Sequence, residues 1–203
     1  MVGWAGTVVA TTPRLTLRTF REDDLPSYAA LNADPAVVRY LGGTPLRRDY
    51  SDDIAAWAQQ SFEQQGVGLL AVERRSDGSF LGMCGLHRHS SHRDEVEIAW
   101  RFASEHWGHG YATEVATGRM DHGFDNLGRL DHIISMTDEP NRPSQAVMHR
   151  LGMVYDRDTE ILEDGERFTA LVHVISAGEW RTRAVGVDRC RAPICHPRRR
   201  PRS

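Results

Sequence analysis

The chain contains no lysine: all 25 of its basic residues are arginine, set against 28 acids in 203 residues. A Walker-type phosphate loop needs a lysine after its last glycine, so that nucleotide motif is excluded. Cysteine is scarce, with only Cys84, Cys190 and Cys195, and an odd number with two members near the end does not make a disulfide framework. No run of eighteen apolar residues occurs, which excludes a membrane-spanning helix. The opening Met1-Val2-Gly3-Trp4-Ala5 lacks the basic start and long apolar stretch of a secretion signal, so a cytoplasmic location is expected. There is no internal repeat, and the length suits one domain that buries its own core.

Charge is uneven along the chain. Residues 181–203 hold eight arginines against the single acid Asp188, leaving 17 arginines and 27 acids in the rest. With three prolines and the run Arg198-Arg199-Arg200, this segment reads as a disordered basic tail. Solvated arginines are the plain reading of it, and contact with ribosomal RNA the sharper one. The expected organisation is a flexible N-terminus over 1–11, one domain over 12–180 and the tail over 181–203. Cys190, Cys195 and His196 supply three ligands where a structural zinc site wants four, and His87, His89 and His92 match no zinc spacing, so no metal is expected.

The most informative stretch is Trp107-Gly108-His109-Gly110-Tyr111-Ala112-Thr113. Before it, Val96, Ile98, Trp100 and Phe102 alternate with Glu95, Glu97, Ala99 and Arg101, the period of a strand. After it, Ala112, Val115, Ala116, Met120, Phe124 and Leu127 recur at three and four, the period of a helix over about 110–127 with Gly128 as its cap. A glycine-paired turn between strand and helix lets the backbone approach a bulky anion, and the first-turn N–H groups and helix dipole face it. The dinucleotide fingerprint is excluded, because Thr113 stands where Gly or Ala is required.

Elsewhere the pattern predicts a strand over 15–20, helices near 24–32, 35–41 and 49–64, and a hairpin of strands 69–74 and 80–87. A strand over 132–137, a short helix over 143–151 capped by Gly152, and a closing hairpin of strands 154–161 and 168–175 around Glu163-Asp164-Gly165 complete it. That many strands indicate an α/β protein with a mixed sheet and helices on both faces.

Four segments resemble the GNAT acetyltransferases, and within them the RimJ/RimL-like branch: Pro13 to Arg18, Asn32 to Val37, Trp107-Gly108-His109-Gly110-Tyr111-Ala112-Thr113-Glu114, and Asn141-Arg142-Pro143-Ser144 leading to Gly152-Met153. The resemblance implies a mostly antiparallel sheet splayed between strands four and five, with the pantetheine arm of acetyl-CoA in the gap. It places the diphosphate on residues 107–113, pantetheine on the main chain of Trp100 to Ala103 (Phe102 and Ala103 included), and further contacts on Asn141 and Ser144. Two positions depart from the family. Glu105 replaces the usual Gln or Arg of the loop and is expected to face solvent, and Met148 stands where other GNAT branches carry a tyrosine acid, which a thioether cannot replace.

Acetyl transfer needs a neutral amine, an oxyanion donor and a protonated leaving thiolate. Glu97 is the candidate base, with an ion pair to Arg101 as its structural alternative and Glu95 as its rival. Ser144 is the candidate donor to sulfur, while Asn141 also suits a helix cap. A main-chain N–H near Phe102 or Ala103 is the expected oxyanion donor. Trp100 and His173 are placed beside the acceptor, with a buried strand histidine as the plain reading of the latter. Asp131, His132 and Ser135 lie on one strand, where neighbours face opposite sides, and make no hydrolytic triad. The function implied is an acetyl-CoA-dependent N-acetyltransferase working by direct attack on a protein N-terminus or small amine, as monomer or homodimer. A CoA-binding module without turnover is the alternative.

Overall fold

The computed structural model describes residues 3–88, 95–127, 130–163 and 166–186. The expected cap Gly128, His89 and His92, the turn residues Asp164 and Gly165, and Cys190, Cys195, His196 and the arginine run lie outside them. Eight strands form one sheet: β1 Val8–Thr11, β2 Leu15–Arg18, β3 Gly68–Arg74, β4 Phe80–Arg88, β5 Val96–Phe102, β6 His132–Thr137, β7 Val154–Glu163 and β8 Glu166–Ser176. Their order is β1-β2-β3-β4-β5-β6-β8-β7, with every neighbouring pair antiparallel except β5 and β6. The helices are α1 Leu25–Ala33, α2 Pro35–Val38, α3 Arg48–Gln65, α4 Tyr111–Asn126, α5 Arg142–Leu151 and α6 Ala177–Gly186. Among the described residues, no helix is long and apolar enough to cross a membrane.

The apolar run of β3 explains the two-faced sheet. Leu70 and Val72 join Val115, Met120, Phe124 and Met148 in the core beneath α4 and α5, while Leu69 and Ala71 join Tyr28, Leu31, Ala55 and Ala58 beneath α1 and α3. A strand covered on both sides carries consecutive apolar residues rather than an alternation.

Three boundaries differ from expectation. Val8–Thr11, read as part of a flexible N-terminus, pairs antiparallel with β2, and Trp4 packs against the α1–α3 core. The helix expected over 35–41 stops at Val38. Helix α6 runs past Trp180 to Gly186, into the stretch read as tail; Trp180 anchors it by packing on Phe124 and donating to Asp121 Oδ1 at 2.9 Å.

Two buried arginines have opposite surroundings. Arg18, 1 % exposed, holds both oxygens of Asp24 at 2.6 and 2.8 Å and Glu73 at 2.8 Å, tying β2 to the start of α1. Arg119 on α4 is 0 % exposed, none of its guanidinium nitrogens finds a hydrogen-bond partner among the described residues, and burial pushes its pKa down. Breaking a satisfied buried pair leaves a stranded charge, whereas replacing an unsatisfied one with an apolar group relieves its desolvation. In urea denaturation Asp24→Ala is therefore expected to cost about 3–5 kcal/mol, and Arg119→Met to stabilise by about 1–4 kcal/mol. Equal and opposite signs to these would overturn the contrast.

Candidate active site

The site forms where the sheet opens. Strands β5 and β6 register at Glu97↔Ile134, and there Ser135 Oγ donates to Ile98 O at 2.9 Å. By contrast β4 and β5 stay paired from Arg88↔Val96 to Gly82↔Phe102. The cleft of about 1180 Å³ reaches from the first residues of α4 through this opening to α3.

Main-chain direction alternates along a strand, so the Ile98 carbonyl pointing at β6 assigns the N–H and C=O of Trp100 and Phe102 to the same open edge. Ala103 lies on the other edge: its N–H donates to Leu81 O at 3.0 Å, and it does not line the cleft. The expectation that Ala103 binds pantetheine or serves as oxyanion donor is corrected accordingly. Trp100 and Phe102 do line the cleft, and the Phe102 carbonyl accepts the Trp107 indole N–H at 2.8 Å.

Residues 107–113 sit together at one end of the cleft. Gly108 and Gly110 have φ of +78° and +77°, which disfavour a side chain, and a Cβ on Gly108 would meet nothing within 4 Å. Gly110 is the N-cap of α4. The first helical bond runs from Glu114 N–H to Gly110 O at 3.1 Å, so the amides of Tyr111, Ala112 and Thr113 precede the ladder and are oriented for an anion. Open space over Gly108, with an Arg14 nitrogen 3.6 Å from where a Cβ on Gly110 would lie, beside three such amides fits a diphosphate. Glu105 is exposed and does not line the cleft, as expected of a carboxylate beside that site.

The loop is clamped from the far end of the sequence. Arg14 donates through Nε to Glu114 Oε2 at 2.6 Å, through Nη1 to His109 O at 2.9 Å and through its main-chain N–H to Glu114 Oε1 at 3.0 Å. Its guanidinium lies 4.7 Å from the Tyr111 ring, on which His109 stacks. Thr12 Oγ1 donates to the same carboxylate at 2.5 Å. Burial works to raise the Glu114 pKa, but these hydrogen bonds outweigh it and hold the carboxyl below its ordinary value.

On α5, Asn141 Oδ1 accepts the Ser144 N–H at 3.2 Å, which is the capping role, and both residues also line the cleft. Met148 is 0 % exposed in the α4–α5 core, so that position offers the cleft no side chain of any kind.

Glu97 is 6 % exposed and lines the cleft beside the opening. Its cross-strand partner is His87, whose Nε2 stands 3.5 Å from Glu97 Oε2; the edge-on Trp57 ring lies 5.8 Å from the imidazole. Arg101 does not pair with Glu97 but donates to Asn32 Oδ1 at 2.5 Å. Glu95 is engaged by Arg157 at 2.6 Å and His132 at 3.3 Å and does not line the cleft. Those partners, and the Ser135 bond to Ile98, leave Asp131, His132 and Ser135 without triad geometry. His173 is corrected as an acceptor contact: it is buried on β8 against the rings of His149 and Tyr155, outside the cleft lining, and burial and His149 lower its pKa. Cys84 is wholly buried, with its thiol pushed up to about 12 by burial. Among the described residues, no three His, Cys, Asp or Glu side chains are grouped to hold a metal.

Residues 14–154 match the family described as the acetyltransferase (GNAT) domain. The chain belongs to the GNAT family. It is 32% identical to the uncharacterised protein YkkB of Bacillus subtilis (strain 168), over 72% of this chain and 85% of YkkB. It is 29% identical to the uncharacterised N-acetyltransferase p20 of Bacillus licheniformis, over 69% and 79%. An acetyltransferase from Agrobacterium tumefaciens superposes with a TM-score of 0.71 at 28% identity, covering 83% of this chain and 95% of that one. The chain is thus an N-acetyltransferase with a GNAT fold.

The reading of the acetyltransferase's sequence missed His87 and the pairing of Arg14 with Glu114. Both were visible as motif members, Arg14 in the opening strand motif and Glu114 at the end of the loop motif, but nothing local joins them. Gly110→Asp places bulk and charge at the three amides and is expected to weaken coenzyme A binding at least tenfold by calorimetry; unchanged affinity counts against the loop. Glu114, with a depressed pKa, contributes stability at neutral pH that is lost as pH falls through the carboxylate range. The thermal-stability gap between wild type and Glu114→Gln should accordingly be present at pH 7 and shrink in acid.

Proposed function

We propose that the chain moves an acetyl group from acetyl-CoA to a primary amine by direct attack, as a member of the RimJ/RimL-like branch. One observation carries the reading: a single cleft joins the first-turn amides of α4 to the buried carboxylate of Glu97 at the point where β5 leaves β6. The amides of Tyr111, Ala112 and Thr113 hold the diphosphate, and the open edge of Trp100 and Phe102 faces the pantetheine amides in the manner of an added strand. Acetyl-CoA, when bound, supplies an activated thioester carbonyl.

The chain's residues handle protons and position. An alkyl amine has a pKa near ~8 for an α-amine and above ~10 for a lysine-like one, so it arrives as ammonium. Glu97 removes one proton, and His87 beside it is the next group toward α3. The neutral nitrogen attacks the carbonyl carbon and the C–N bond forms; as the C–S bond breaks, the second proton of that nitrogen passes through the Ser144 hydroxyl to the leaving sulfur, while the first leaves Glu97 for solvent. The proton count closes on amide, free thiol and one proton released to water. The Phe102 N–H on the open edge is the donor suited to the developing oxyanion. Cys84, buried and held as thiol, takes no acetyl group, which supports transfer without a covalent enzyme intermediate.

Met148 favours a second reading, a CoA-binding protein without turnover, because α5 presents no acid at that place. Thiol release separates the two. With an acetylated amine in hand, Glu97→Gln is expected to lower kcat by about 10²–10⁴ while coenzyme A affinity stays within twofold. Full turnover at neutral pH in that variant would remove Glu97 from the base role, and no thiol release with any amine would leave binding alone.

A further inference from the structure

The end of the cleft beyond Glu97 has a composition that names its ligand. An amphipathic helix on a sheet needs one apolar face, and α3 already has it in Ala55 and Ala58, both within the α1–α3 core. Yet Tyr50 and Trp57 carry apolar surface beyond that face, on either side of Ile54, which packs at the edge of the same core, and all three line the cleft. Ile161 and Phe168 of the β7–β8 hairpin line it as well. Among the described residues, two of the seven large apolar side chains left exposed lie on α3: Trp57 is 44% exposed and Tyr50 36%. Exposed aromatic area inside a concave site is a binding feature rather than a core.

Charge completes the picture. Three acids line the cleft, Glu97, Glu114 and Asp138. Glu114 is held by Arg14 and Thr12, and burial raises the pKa of Asp138. Arg88, Arg101 and Arg150 also line it, and they oppose a second ammonium. The Glu97 carboxylate and the Trp57 indole flank one imidazole, that of His87. A ligand that gives its amine to Glu97 and its apolar end to Trp57 therefore carries the two on a short spacer.

Resting on the acetyl-transfer reading above, we infer that the acceptor is a small primary amine joined through a short alkyl spacer to an aromatic ring, an arylalkylamine, rather than a polyamine, an amino sugar or a peptide N-terminus. A polyamine needs several acids along its length, and an amino sugar needs polar walls.

The test uses the full chain with acetyl-CoA, measuring thiol release with 2-phenylethylamine, spermidine, glucosamine and a peptide with N-terminal serine, and calorimetry of 2-phenylethylamine on protein saturated with coenzyme A. Expected is a kcat/KM for 2-phenylethylamine at least tenfold above the other three. Trp57→Ala should raise its KM about tenfold, the worth of one aromatic contact, with kcat and the KM for acetyl-CoA little changed, and Trp57→Phe should recover most of the loss. Because Trp57 is half exposed, the alanine variant is expected to fold. Preference for spermidine, glucosamine or the peptide, or a KM indifferent to Trp57, overturns the inference and leaves acetyl transfer standing. Trp57-dependent binding without thiol release supports the ligand assignment and overturns the catalytic reading instead. Absence of both binding and turnover of 2-phenylethylamine overturns the inference, whatever other amines do.

Discussion

The structure depends on a central strand that gives up a partner partway along. Beside β4, the strand β5 is bonded over its whole length, while on its other edge pairing with β6 is confined to the start. An unpaired strand edge inside a protein is costly, since each buried peptide group without a bond loses desolvation energy comparable to a hydrogen bond. The chain meets part of that cost with side chains: Ser135 reaches Ile98 O at the fork, and the Trp107 indole closes on Phe102 O near the loop. Between them lies a short stretch of main chain beside the opening, the template that the proposed pantetheine arm would complete.

Around that fork the two faces of the sheet divide the work. The α4 side brings the glycine turn and its amides, and the α3 side brings Glu97, His87 and the aromatic stripe. Because β5 alternates, one strand serves both: Val96, Ile98 and Phe102 secure it to the α4 core, while Glu97 looks the other way. The carboxylate thus faces the cleft without disturbing the packing that holds the glycine turn.

Local patterns were legible in the amino-acid order and long-range pairings were not. The glycine spacing and the three–four repeat from Ala112 onward located α4 and its glycine-capped start, since both are properties of neighbouring residues. The same holds for Asn141 capping α5. The direction of the Ala103 N–H was not legible, because it follows from which strand lies alongside, and Leu81 supplies its acceptor. His173 was misplaced for a related reason: facing a neighbour across β6 and β7 is set by sheet order, which periodicity does not carry. Arg14 and Glu114 are a hundred residues apart, and only the fold makes them partners. Residues 7–12, Thr-Val-Val-Ala-Thr-Thr, do not alternate apolar with polar and so concealed β1, and the arginines after Trp180 concealed the last turns of α6.

His87 and Glu97 belong to one cross-strand pair in the middle of an antiparallel ladder. In such a ladder a slip of one residue carries a side chain from one face of the sheet to the other. A misregistered β4 would turn His87 toward the α4 core and send Leu86 or Arg88 to the carboxylate. On the role proposed for Glu97, catalytic competence is a fidelity check on sheet assembly: a molecule that zips its fourth and fifth strands one notch out would still be compact, and would be chemically silent.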